Sequence, residues 1–275
     1  MTPDFSIITA NLNGARYLRE CLQSVVDQEG VSFQHLVIDG GSTDASAQIV
    51  AEFPGVIFHQ GEDSGMSNAI NRGFQRAKGR WVMWLNSDDR LKPEALKTVL
   101  RFITDHSPAD VVYGGWDFVD HTGTLQRKMS VFPFRRLMLA HLGCYIGSTA
   151  CFLRRETTID EGHLLNEDFQ IVMDGEYYCR LARAGKKFVY FPRILAEFRL
   201  HEENASFRRY AGEGIAGHLA LEKQWAEGAA IRREYGISLF QGEHANGVVD
   251  ALLYYYFLAQ KAFLKRWYRC FTPPR

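Results

Sequence analysis

The chain carries no excess of charge. Thirty-two lysines and arginines balance 32 aspartates and glutamates, for a formal net charge of zero. Bulk electrostatics therefore argues against a dedicated nucleic-acid binder. Cysteine is scarce: Cys21, Cys144, Cys151, Cys179 and Cys270 are odd in number, scattered, and form no Cys-x-x-Cys pair. Neither a disulfide framework nor a zinc-type ligand cluster is expected, and the thiols read as reduced and mostly buried in a cytoplasmic protein. No apolar run is long enough to span a bilayer, and the acidic start Met1-Thr2-Pro3-Asp4 does not read as a signal peptide. Internal repeats and low-complexity segments are lacking. So are Gly-x-Gly-x-x-Gly, the Walker-type Gly-Lys-Ser/Thr loop and the Gly-x-Ser-x-Gly elbow. Those absences argue against the common dinucleotide, P-loop and hydrolase solutions.

What is present is a core-forming composition, 46% apolar over 275 residues, enough for one large domain or a domain with an extension. From Phe5 to about Gly114 strand and helix patterns alternate. Strands are expected at Phe5–Ala10, Phe33–Ile38, Val56–Phe58 and Trp81–Leu85, with another beginning at Asp110. Helices are expected after Gly14, with Tyr17, Leu18, Cys21, Leu22, Val25 and Val26 on one face, over Met66–Ala77, and over Pro93–Asp105. Such alternation predicts an α/β fold with a mostly parallel, doubly wound sheet. Beyond Gly115 the pattern changes. A hairpin is expected around His121-Thr122-Gly123, a helix over 133–142, an extended stretch over 148–153 and a helix over Asp174–Ala184 stopped by Gly185. Strands over Lys187–Phe191 and Leu195–Leu200 precede helices from about Tyr210 to Cys270.

Three early strands end in polar residues: Thr9 and Asn11, then Asp39, then Asp88 and Asp89. Open α/β sheets bind ligands at the carboxyl ends of their strands. Adjacent carboxylates on a rigid strand end suit a hard divalent cation that also holds phosphates. A solvated turn or a helix cap before Pro93 is the plain alternative for Asp88 and Asp89. The same ending on three strands favours a ligand rim.

At this point the residues resemble a known family. The runs Ser6–Asn11, Val37–Asp44 (Val-Ile-Asp-Gly-Gly-Ser-Thr-Asp), Glu62–Gly73 and Lys78–Asp89 come in the order and spacing of inverting family 2 glycosyltransferases of the GT-A fold. The resemblance is specific over 5–90, weaker over 91–205 and absent beyond. It implies a Rossmann-like GT-A catalytic domain over 1–205. Within it, 1–115 would form the nucleotide-sugar half and 116–205 the acceptor-side half, with a helical extension over 206–275. It implies a nucleotide-sugar donor, a UDP-sugar foremost, and Mg²⁺ or Mn²⁺. Thr9, Asn11 and Asp39 would hold the nucleoside, the Asp39 carboxylate accepting a hydrogen bond from the base. Asp63 and Gly65 would lie in the loop beside the donor, Asp88 would face ribose or sugar, and Asp89 would bind the metal.

Inversion needs one carboxylate to take the acceptor proton. The family's aspartate opens a helix shaped like Asp-Tyr-x-x-x-x-Arg-Leu. Asp174-Gly175-Glu176-Tyr177-Tyr178-Cys179-Arg180-Leu181 fits that shape, with Gly175 departing from it, so Asp174 is the expected base and Glu176 and Asp168 the fallbacks. His201 resembles a late histidine that completes the metal or diphosphate site, and Arg199 is a phosphate candidate. The stretch 144–152 is expected on the acceptor side. The aromatic, then basic run from Leu252 to Arg269 suits either an interfacial helix on an anionic membrane or a helix packed on the domain or in a homodimer. A lipid-bound helix would seat the protein on the cytoplasmic face of the inner membrane and point to a lipid-linked oligosaccharide acceptor. Otherwise the acceptor would be a growing surface glycan. Two rival readings stay open: a sugar nucleotidyltransferase, and a non-catalytic glycan-binding or scaffold protein.

Overall fold

The computed structural model describes residues 2–105, 108–129, 131–202 and 214–235, with 256, 259, 260 and 262. One nine-stranded sheet runs through the described chain. The strands are β1 (Phe5–Asn11), β2 (Phe33–Asp39), β3 (Val56–Gln60), β4 (Trp81–Trp84), β5 (Arg90–Leu91), β6 (Val111–Val119), β7 (Leu125–Met129), β8 (Cys151–Arg154) and β9 (Phe188–Arg199). Their order is β3-β2-β1-β4-β8-β6-β9-β5, with β7 on β6. The helices are α1 (Ala15–Val26), α2 (Ser46–Ala51), α3 (Met66–Phe74), α4 (Ala95–Asp105), α5 (Arg136–Leu142), α6 (Met173–Arg183) and α7 (Gly214–Tyr235).

The first half is parallel: β1 lies between β2 and β4, and β3 joins β2 in the same direction. Short apolar strands buried on both faces are what such sheets require; all four residues of β4 are buried. Beyond β4 the sheet is mixed. Strand β8 runs antiparallel to β4 and β6, and β9 runs parallel to β6 and antiparallel to β5. The parallel pairing expected of the strand–helix alternation holds in the first half, and the sheet is mixed in the second, where the sequence pattern also changes. There, the β6–β7 hairpin and short returns replace helical crossovers.

Three local expectations are corrected. Strands expected over 187–191 and 195–200 are one strand. The register against β6 advances from Tyr190 to Ile194 while β6 advances only from Tyr113 to Gly115. Pro192, which has no amide hydrogen, falls in that irregular stretch, where strand proline is tolerated. Helix α4 begins at Ala95, because Glu94 has φ of 57° and cannot be helical. On α1, Tyr17, Leu18, Cys21, Leu22 and Val25 are buried as the spacing requires, but Val26 is 45% exposed at the helix end.

The core joins the two halves. Phe5, Ile7, Ile8, Trp84, Tyr113, Phe152, Tyr177 and Tyr178 are buried in one cluster. The Tyr178 ring stacks on Trp84 at 6.2 Å, which fixes α6 against β4. Among the described residues no helix is long and apolar enough to cross a membrane. The run 252–269 lies outside the described residues, except for 256, 259, 260 and 262.

Candidate active site

The parallel register brings Asn11 level with Asp39, and Asp39 level with Gln60, at one rim of the sheet. After β4 the chain reaches the same rim through Asn86–Asp89, anchored where the Leu85 amide donates to the Ile8 carbonyl at 2.9 Å.

Asp39 is fully buried and its oxygens are all engaged. Oδ1 accepts the Gly41 and Ser42 amides at 3.1 and 2.7 Å. Oδ2 accepts the Ser42 hydroxyl at 2.6 Å and Asn11 Nδ2 at 2.7 Å. A carboxylate offers about four acceptor positions, and the protein fills them. Asp39 thus shapes the 40–42 turn. Thr9 lies deeper. Its side chain is fully buried, with Oγ1 3.0 Å from His35 Nε2, beneath the rim. Burial pushes the His35 pKa down to about 3, so this ring is neutral. Asn11, 4% exposed, keeps its Oδ1 without a partner among the described residues. Asp63 accepts the Gly65 amide at 2.9 Å from the residue that starts α3 with φ of 125°. Its Oδ2 lies only 2.6 Å from where a Cβ on residue 40 would stand, so a glycine at 40 is what admits it.

The two adjacent carboxylates have opposite fates. Asp88 is 21% exposed, and its Oδ2 lies 2.8 Å from His201 Nε2. Asp89 is 1% exposed, and its Oδ1 accepts the Arg199 backbone amide at 3.0 Å. Burial first, then the neighbouring Asp88 charge, push the Asp89 pKa well above the usual carboxylate range. The exposed carboxylate paired with imidazole is therefore Asp88, not Asp89, which instead fixes the end of β9 that carries His201. His201 is itself 8% exposed, its ring lies 4.8 Å from the Tyr17 ring, and its Nδ1 has no partner among the described residues.

Arg199 is no phosphate ligand. It is 1% exposed. Nε donates to the Asp88 carbonyl at 3.0 Å, Nη1 to the His121 carbonyl at 3.2 Å and Nη2 to Glu20 at 2.7 Å. Its guanidinium lies 4.5 Å from the Tyr17 ring centroid. One buried cation ties α1, the Asp88 loop and the β6–β7 hairpin, a partnership with Glu20 and Tyr17 that the linear sequence does not signal.

Asp174 stands in the first turn of α6, partly exposed, its Oδ1 accepting the Gly175 amide at 2.7 Å. The fallback Glu176 is buried against Arg180 at 2.8 Å and the Tyr235 hydroxyl at 3.0 Å, so its oxygens are engaged in holding α6. Asp168 is exposed on the preceding loop. That loop crosses α3: Glu167 accepts from Ser64, Asn68 and Asn71 at 3.0–3.2 Å, and Ser67 donates to the Phe169 carbonyl at 3.2 Å. The start of α6 is thereby laced to the start of α3, next to Asp63 and Gly65. Beside it, α5, α6 and α7 border an open cavity of about 490 Å³, lined by His141, Cys144, Gly175, Trp225, Ile231 and Arg232 among others.

Comparison with known proteins agrees with this geometry. Residues 6–162 match the model of glycosyl transferase family 2. The chain is 36% identical over 243 residues to a PGL/p-HBAD biosynthesis glycosyltransferase of Mycobacterium bovis, covering 86% of this chain and 88% of that one. It is 26% identical over 214 residues to the putative teichuronic acid biosynthesis glycosyltransferase TuaG of Bacillus subtilis, covering 76% and 83%. Among solved structures, S. aureus TarS 1–349 in complex with UDP-GlcNAc superposes with a TM-score of 0.62 at 18% identity, covering 94% of this chain and 80% of that one. The mannosyltransferase PcManGT of Pyrobaculum calidifontis, in complex with GDP-Man and Mn²⁺, gives 0.58 at 15% identity, covering 96% and 85%. These two likenesses are of fold, and the fold is the GT-A arrangement of an α/β sheet with flanking helices. The nucleotidyltransferase and non-catalytic readings are set aside. The chain belongs to glycosyl transferase family 2 and is a glycosyltransferase.

Proposed function

We propose that this enzyme is metal-dependent and inverting, and that it transfers a sugar from a UDP-sugar to a hydroxyl of a surface glycan or lipid-linked acceptor. The observation that carries the reading is the Asp88–His201 pair, 2.8 Å apart at the rim where β1, β2 and β4 end. One carboxylate and one imidazole form a suitable donor set for Mg²⁺ or Mn²⁺ when phosphate oxygens and water supply the remaining ligands. The orphaned Nδ1 of His201 and Oδ1 of Asn11 leave polar capacity for a ligand at that rim. Bound there, the ion would offset the charge that develops on the diphosphate leaving group. Surface-glycan chemistry is suggested by the names of the relatives above.

The chain's own residues divide the remaining work. Asp63, Gly65 and Asn11 border the donor. Asp89 and Arg199 hold the Asp88 loop and the His201 strand end in register. Asp174 takes the proton from the acceptor hydroxyl as that oxygen attacks the anomeric carbon, so inversion follows from a single displacement. The cavity beside α6 is of a size that suits a ligand of one or two rings, and the 70%-exposed Trp225 offers an aromatic platform at its edge. We assign the acceptor to it.

The test is UDP binding by calorimetry with and without Mn²⁺, on the wild-type chain and on Asp88→Asn. Metal should tighten binding in the wild type by at least about tenfold and leave Asp88→Asn unchanged, one tenfold step being about 1.4 kcal/mol. Equal tightening in both proteins would remove Asp88 from the site.

A further inference from the structure

We infer that Glu227 on α7 is a positioning residue for the catalytic base, seating the start of α6 and thereby fixing Asp174. The inference rests on Asp174 being that base. Glu227 Oε1 accepts the Gln170 amide, and Oε2 accepts the Ile171 and Val172 amides, each at 3.0 Å. Glu227 is 8% exposed. Val172 caps the start of α6 and makes no side-chain cap of its own. One carboxylate from another helix supplies two oxygens for three consecutive amides, those of the cap residue and of the two loop residues before it, and so fixes the chain where it enters the helix. Asp174 lies two residues beyond the last of them.

The contact belongs to a longer seam. Lys223 Nζ donates to Gln170 Oε1 at 2.6 Å, and the Tyr235 hydroxyl donates to Glu176 Oε1 at 3.0 Å. Ile231 Cδ1 comes within 3.8 Å of where a Cβ on residue 175 would stand, and Cys144 Cβ within 3.5 Å. Residues 223, 227, 231 and 235 recur every fourth position and so share one face of α7. That face follows α6 from the loop before it to Glu176. A Cβ at 175 would make ordinary van der Waals contact with both Ile231 and Cys144, so α7 and Cys144 pack directly on the first turn of α6. The helix that packs there also carries the carboxylate that seats the residues just before the base.

Glu227→Gln in the full chain tests this. The substitution keeps the size of the side chain but turns one acceptor into an NH₂ group facing backbone amides. The expected result is a fall in kcat of about 10- to 100-fold, the scale of a misplaced reacting group. KM for the UDP-sugar and the affinity for UDP with Mn²⁺ should not change. An unchanged kcat in folded Glu227→Gln would overturn the inference, and so would a loss that appears only as a raised donor KM. Should the variant fail to fold, amide hydrogen exchange in the wild type decides. Slow exchange at 171 and 172 is expected, and exchange at the rate of exposed loops overturns the seat. Asp174→Asn run alongside separates the two claims. Transfer that survives in it rejects the base. Loss there with intact kcat in Glu227→Gln rejects Glu227 alone.

Discussion

Residues 5–91 and residues 111–235 face the same problem, holding polar groups where backbone elements end, and they solve it differently. In the first region the partners are near. Asp39 is held by Gly41 and Ser42 from its own turn and by Asn11 from the adjacent strand. In the second region they are far. The amides before α6 are held by Glu227, 55 to 57 residues away, and the end of β9 is held by Asp89, 110 residues away. A rim built from neighbouring strands is shaped as soon as the sheet pairs. A rim built from distant carboxylates exists only once the whole domain has closed, because each long loop must be ordered first.

Breaking the joint between the regions should have the largest effect. Arg199→Met removes a buried cation that holds α1, the Asp88 loop and the hairpin, and leaves the Asp88 and His121 carbonyls without that donor, while Glu20 keeps Arg90. The expected loss is about 1–3 kcal/mol in urea unfolding. A loss under about 1 kcal/mol would show that the two regions are not joined there. Next comes a change confined to the second region. Trp225→Ala should raise the acceptor KM several-fold, on the scale of about 1 kcal/mol for one aromatic contact, with the UDP-sugar KM unchanged. An effect on the donor KM instead would move the cavity to the other region. The smallest concerns the first region. His35 is neutral in the fold, with a pKa of about 3 against 6.5 for the free side chain, so the unfolded chain binds the extra proton. Its contribution is fully present above pH 6.5 and is lost as pH falls toward 3. His35→Gln should flatten stability measured across that window. An unaltered slope would assign the acid sensitivity elsewhere.

Much of residues 5–91 was legible in order. Short continuous apolar runs gave β1, β2 and β4, and the 3.6-residue period gave α1 and α3, because each element there is patterned by its own burial. The site was only partly legible. Adjacent carboxylates at 88 and 89 look alike in a sequence; which one is buried depends on where the Arg199 amide arrives from β9. Likewise Asp39 matches a ligand motif, yet its lone pairs are engaged by atoms that only the 40–42 turn and β1 bring to it. Arg199 carries the charge expected of a phosphate ligand and is buried as a clamp. Nothing in the spacing of Glu227 announced its three amide partners.

The sequence by itself determined the fold family, the strand-end rim and the order of its acidic residues, since these follow from local burial patterns and motif spacing. The tertiary structure decided which carboxylate meets His201, which groups are already satisfied, and what holds the helix of Asp174. Those outcomes depend on contacts closed across 55 to 113 residues, where only packing in three dimensions selects a partner.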